Sequence, residues 1–207
     1  MCVIIDSCSI PSVFNTGDPD HLQFKPVREW IMNGSGFMVY GGSRYIKELD
    51  KLSSYHKLIL SLSKDPSIVK RFSDEEIDAC ECNIASIIHD KEFNDKHIAA
   101  MASVSKCRVI CTKDARSAKY LKDKRIYPKR QKTPKLYTSI ANQDLLTSAN
   151  IPSCYKRQLQ ENSRKDSRCK SAASKSTGSS RTAALATPIR SNSSPPQVSR
   201  NKTRHHT

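Results

Sequence analysis

Residues 93–114 change their hydrophobic period halfway along, and that change limits the folds open to this chain. From Asn94-Asp95, residue types suited to capping a helix, Ile98, Ala99, Met101 and Ala102 recur at helical spacing. After a short polar link, Cys107, Val109, Ile110 and Cys111 make an apolar run too short for a helix, which reads as a buried parallel strand. A helix feeding such a strand is half of an α/β unit. It carries Asp95 at the head of the helix and Asp114 just past the strand. In open parallel sheets chemistry gathers beyond the carboxyl ends of the strands, and the pattern puts Asp114 there.

Two further acids fit the same edge. An apolar strand from Cys2 ends in Asp6. Phe37 to Tyr40 reads as a second strand, and Gly41-Gly42-Ser43 turns into a helix whose Ile46, Leu49 and Leu52 face the core, with Glu48 bordering their stripe. Four carboxylates brought together would repel and raise one another's pKa values unless a cation sat among them. Hard oxygen donors select Mg²⁺ or Mn²⁺ over zinc. Asp95 and Asp114 could instead be plain helix caps. Asp6 and Glu48 have no such alternative.

The strand ending in Asp6, the Tyr45–Leu49 helix, Asp95 to Ala102, and Val109 to Asp114 resemble the four motifs of the PIN-domain family, in its order and approximate spacing. Lys135-Leu136-Tyr137 and Leu145-Leu146 are similar to the closing segment of bacterial and archaeal members, so the likeness covers about the first 146 residues. One departure is Ser105-Lys106, which stands between helix and strand where a glycine is expected. The resemblance implies an α/β, PIN-like three-layer fold with a central, mainly parallel sheet flanked by helices. It further implies an endoribonuclease in which four acids hold Mg²⁺ or Mn²⁺: Asp6, Asp95 and Asp114 directly or through water, and Glu48 completing the first or second shell. Its substrate would be RNA, single-stranded or structured. Homodimers are common among such domains. The resemblance also admits a catalytically idle module that binds RNA or protein, and a toxin whose site an antitoxin protein covers.

Charge supports a polyanionic partner. The chain has 207 residues and a net charge of +15, unevenly spread. Residues 115–135 hold nine Lys or Arg against Asp123 alone, and residues 155–207 hold twelve against Glu161 and Asp166. The acids at the sheet edge therefore sit in a near-neutral domain, next to a basic strip and ahead of a basic tail. Phosphate backbones suit that distribution. Arg116, Lys119, Lys129, Arg130 and Lys132 are the candidate nucleic-acid contacts. Thr112 is placed to hydrogen-bond a carboxylate or a phosphate, or to be an ordinary strand threonine.

Residues 1–150 are expected to form the nuclease-like domain. Residues 151–207, rich in Ser, Lys and Arg and poor in large apolar side chains, form a tail expected to be disordered. Of eight Cys, Cys2, Cys107 and Cys111 fall in strands as small hydrophobes, and Cys80-x-Cys82 lacks a second pair for zinc. With no signal peptide and no apolar run of transmembrane length, a reduced cytoplasmic setting without membrane contact is expected. Elsewhere the pattern predicts a helix over Ser7 to Thr16 interrupted by Pro11, one over Val27 to Met32, and one over Tyr55 to Ser63 with Leu58, Ile59 and Leu62 inward. It also predicts a strand over Ile68 to Phe72, a solvated Asp74-Glu75-Glu76 loop or first helical turn, and a helix over Cys82 to His89. Ala115 to Lys122 reads as a short helix, Ile126-Tyr127 and Leu136-Tyr137 as edge strands, and His97 as exposed. Two rivals fail on residues. An aspartyl-phosphate phosphatase needs a second Asp where Cys8 stands, and a dinucleotide-binding fold needs a Gly-rich turn where Ser7-Cys8-Ser9-Ile10 stands.

Limited proteolysis should trim the chain to a resistant core ending between Leu146 and Gln160, because ordered packing stops there. A protected fragment reaching residue 190, seen by mass spectrometry, would show that the tail folds.

Overall fold

Strand β1 (Cys2–Ile5) is buried at every residue and paired along both edges, which is why its four apolar side chains show no alternation. The computed structural model describes residues 2–150 and Tyr155. After β1 come a 3-10 turn over Ser7–Ser9, α1 (Ile10–Phe14), α2 (His21–Met32), β2 (Phe37–Tyr40), α3 (Ser43–Lys51) and α4 (Ser53–Leu62). Then follow β3 (Val69–Arg71), α5 (Asp74–Ile87), α6 (Lys96–Ser105), β4 (Val109–Cys111), α7 (Ala118–Leu121) and β5 (Lys135–Tyr137). The five strands form one all-parallel sheet in the order β3-β2-β1-β4-β5, flanked by helices. Ile4 lies between Val39 and Ile110, so β1 is the central strand. Among the described residues no helix is long and apolar enough to cross a membrane.

Several sequence expectations hold and others shift for physical reasons. Pro11 does not break a helix but sits in the first turn of α1, where its missing N–H costs nothing. Helix α2 begins at His21 rather than Val27 and carries Pro26 inside it, with Phe24, Val27, Trp30 and Ile31 buried. Tertiary packing there overrides proline's local penalty. Leu58 in α4 is 37% exposed, while Ile59 is buried and Leu62 partly so. Ile126 belongs to a 3-10 turn over Lys124–Ile126 and not to a strand. In place of the missing glycine, Lys106 takes a left-handed conformation (φ 57°), and the Ser105 hydroxyl accepts the Cys107 N–H at 3.2 Å. Tyr155 packs edge-on to Phe37 at 5.3 Å between ring centroids. The expected disordered tail otherwise lies outside the described residues.

Helix α5 starts at Asp74, earlier than Cys82, with Ser73 as its cap. Its first acids are structural as well as solvated. Asp74 accepts the Gly42 N–H at 2.8 Å and Asp78 accepts that of Ser43 at 2.9 Å, so two carboxylates satisfy the open amino end of α3. Gly41 and Gly42 make this join possible, with φ of 148° and 86°. A Cβ on Gly41 would lie 2.6 Å from the Phe72 carbonyl oxygen. Gly41→Ala should therefore cost about 1–3 kcal/mol in urea denaturation, since both the strained backbone and the contact oppose it.

Candidate functional site

The sheet order reverses between β1 and β4, because the chain leaves β1 toward β2 and leaves β4 toward β5. Such a switch point opens a crevice outside the carboxyl ends of the two strands. Asp6 follows β1 there and its N–H continues the ladder to the Cys111 carbonyl at 2.9 Å. Thr112 and Asp114 follow β4. The Thr112 hydroxyl donates to Asp6 Oδ2 at 2.7 Å and accepts the Asp114 N–H at 3.0 Å, so one buried threonine ties the two acid-bearing strand ends together. The Cys8 thiol lies 3.1 Å from the same Asp6 oxygen, and burial followed by the Asp6 charge pushes its pKa up.

Glu48 comes from α3 and is held from two sides. The Ser7 hydroxyl donates to its Oε2 at 2.7 Å, and His97 Nε2 lies 3.3 Å from that oxygen. His97 is 1% exposed, not exposed as its polar character suggests. Its ring is close to Glu48 but is not aligned for a hydrogen bond, and neither nitrogen has a hydrogen-bond partner among the described residues. Partial burial favours the neutral form of Glu48, but His97, Ser7 and Arg44 outweigh it and hold the carboxyl below its ordinary pKa. Next to Glu48 on the same helix, buried Tyr45 donates its hydroxyl to the Ile5 carbonyl at 2.5 Å, which fixes the strand end immediately before Asp6.

Asp95 occupies the capping position of α6, yet its carboxylate makes no capping hydrogen bond. Burial, then the Asp6 charge, raise its pKa, with Asp114 adding to the effect and His97 and Ser117 opposing it. Asp114 does cap: Oδ1 accepts the Arg116 N–H at 2.9 Å. Arg116 also grips both Asp114 oxygens, Nε to Oδ1 and Nη2 to Oδ2, each at 3.0 Å. That clamp, followed by the Arg116 N–H, lowers the Asp114 pKa.

All four acids border one open cleft of about 770 Å³, together with Lys51, Lys113 and Arg116. Arg116 and Lys119 line an adjoining hollow with Asp95 and Asp114. Lys129, Arg130 and Lys132 border neither hollow. The acids share a cleft without forming a cage, for among the described residues no three His, Cys, Asp or Glu side chains converge closely enough to hold a metal ion. Sequence reasoning missed His97, Ser7 and Tyr45. A signal for His97 was present, since α6 is apolar all round from Ile98 to Ala102 and a helix of that kind is buried on every side. No protein family, curated protein sequence or solved structure matches this chain.

The raised pKa of Asp95 makes a signed prediction. The folded protein holds this proton more tightly than the unfolded chain does, so stability falls as pH rises through the interval between the two pKa values and stays lower above it. Asp95→Asn should raise Tm in EDTA at pH 7.5, with the gain shrinking toward pH 4. Calorimetry at both pH values measures this, and a gain that did not vary with pH would refute the electrostatic account.

Proposed function

We propose that this chain is a metal-dependent endoribonuclease of the PIN-domain type, hydrolysing RNA phosphodiester bonds at the cleft between β1 and β4. The observation that carries the reading is the convergence of Asp6, Glu48, Asp95 and Asp114, from four separate elements, on one cleft at the switch point. The donor set fits Mg²⁺ or Mn²⁺: it is all carboxylate, and Asp95 carries a charge penalty that a cation would relieve. Mg²⁺ keeps several waters and needs only one or two carboxylates, so an open cleft suits it better than a closed cage.

Asp6, Asp95 and Asp114 would hold the cation, some directly and others through its bound waters, with Glu48 completing the first or second shell. Once bound, it would supply Lewis acidity and neutralise charge developing on the phosphate. The chain's own groups do the positioning. Thr112 orients Asp6, Ser7 holds Glu48 with His97 close by, and Arg116 and Lys119 offer positive charge where a phosphate would enter. As water attacks, its oxygen gives up a proton and forms the new bond to phosphorus, while the bond to the leaving oxygen breaks and that oxygen takes up a proton from solvent.

An idle RNA- or protein-binding domain is the competing reading. It draws on the Arg116 clamp, which occupies both oxygens of Asp114. Incubating labelled single-stranded RNA with the full chain separates the two. Cleavage is expected with Mn²⁺ or Mg²⁺ and none with EDTA, and Asp6→Asn or Asp114→Asn should lower the rate by about 100-fold or more while circular dichroism stays unchanged. Intact RNA in the presence of either cation would favour the idle reading.

A further inference from the structure

The basic segment 115–135 does not all lie at the cleft. Val109 pairs with Lys135, and the Lys135 N–H donates to the Arg108 carbonyl at 2.8 Å, so β5 begins beside the beginning of β4. Residues just ahead of Lys135 are thus at the amino edge of the sheet, opposite Asp6 and Asp114. Gln131 pins them there by donating its side-chain amide to the Ala102 carbonyl at 2.9 Å, toward the far end of α6 from Asp95. The cleft therefore lies at the opposite edge of the sheet, beyond the end of β4, and these residues at its start.

At this far edge is a groove of about 1010 Å³ lined by Lys122, Lys124, Arg125, Lys129, Lys132 and Lys135. Arg125 is paired with Asp123 at 2.6 Å. The five lysines have no acidic partner among the described residues. All are exposed and share one concavity, so their fields add there and draw polyanions. At the cleft end of the same segment Arg116 and Lys119 are paired with Asp114 and Glu92, so the unpaired lysines of the segment are gathered at this groove.

We infer that the groove is a second binding surface, which takes the phosphate backbone of a nucleic-acid strand extending beyond the cleft. Lysine suits the task, as a mobile point charge that meets phosphates without reading bases. A membrane surface is less well matched, because none of the exposed large hydrophobic residues among those described, such as Leu22, Leu60 and Ile140, borders the groove.

The binding arm of the test does not depend on the nuclease reading; only its cleavage arm does. In EDTA, the affinity of the full chain for a labelled 20-nucleotide single strand is measured by anisotropy from 50 to 300 mM salt. Lys129→Ala/Lys132→Ala should weaken binding at least about fivefold at the lowest salt and flatten the log–log salt slope by about 1.4, at ~0.7 per lost contact. Lys57→Ala/Lys64→Ala removes equal charge elsewhere and should change the affinity less than about twofold. Equal effects of the two pairs, or none from the groove pair, would overturn the proposal. So would a groove pair that lost binding to phosphatidylserine vesicles but kept its affinity for RNA. In the cleavage arm, a 20-mer is long enough to occupy both cleft and groove, and a 4-mer, ~14 Å at ~3.4 Å per nucleotide, serves as the short control. The groove pair should raise KM for the 20-mer, leave KM for a 4-mer unchanged, and keep kcat. If the wild type cleaves nothing, the nuclease reading fails while the binding arm still decides the groove.

Discussion

A strand buried on both faces and paired along both edges can present chemistry only at its ends. In β1 that constraint organises the molecule, because Cys2 to Ile5 have no access to solvent and Asp6 is the first residue that can leave the sheet. The strand end must also be held, for a carboxylate 6% exposed needs partners to stay in place. Thr112 supplies one from β4, and Tyr45 secures the preceding carbonyl from α3. The two contacts draw three elements onto one point, and the cleft lies beside it.

The electrostatics of that point are divided among neighbours of opposite kind. Asp95 bears the strain, half-buried near Asp6 and without help from its own helix. Asp114 bears none, being clamped and capped. Glu48 lies between the extremes, its burial more than offset by His97 and Ser7. Acids of such unequal standing are poorly described as one cluster. A cation entering the cleft would gain most from Asp95 and would compete with Arg116 for Asp114.

Charge is also divided across the sheet. The acids stand at the carboxyl edge, while most of the basic strip returns to the amino edge, because a parallel crossover must bring the chain back to the start of the next strand. A run of lysines that is continuous in sequence therefore becomes two sites in space. Lysines placed at one edge beside the acids would pair with them and blunt both fields. Separation preserves a positive field along one side and a negative one at the cleft.

What the residues determine alone is the alternation of elements and the ends of the strands. Short apolar runs at Cys2–Ile5, Phe37–Tyr40 and Val109–Cys111 can be buried only as central strands, so each following acid or glycine is legible as an edge residue. The amphipathic face around Glu48 and the N-cap signal at Asp95 are local for the same reason. Partners set by contact across the fold are not local. The Thr112–Asp6 bond spans 106 positions and the Ser7–Glu48 bond 41, and neither has any periodic signature. The burial of His97, the capping of α3 by acids of α5, and the division of the basic strip between two edges likewise follow from strand order. Hydrophobic period reports which face a residue turns inward. It carries no information about which other strand end will lie beside it, and the packing of the sheet alone decides that.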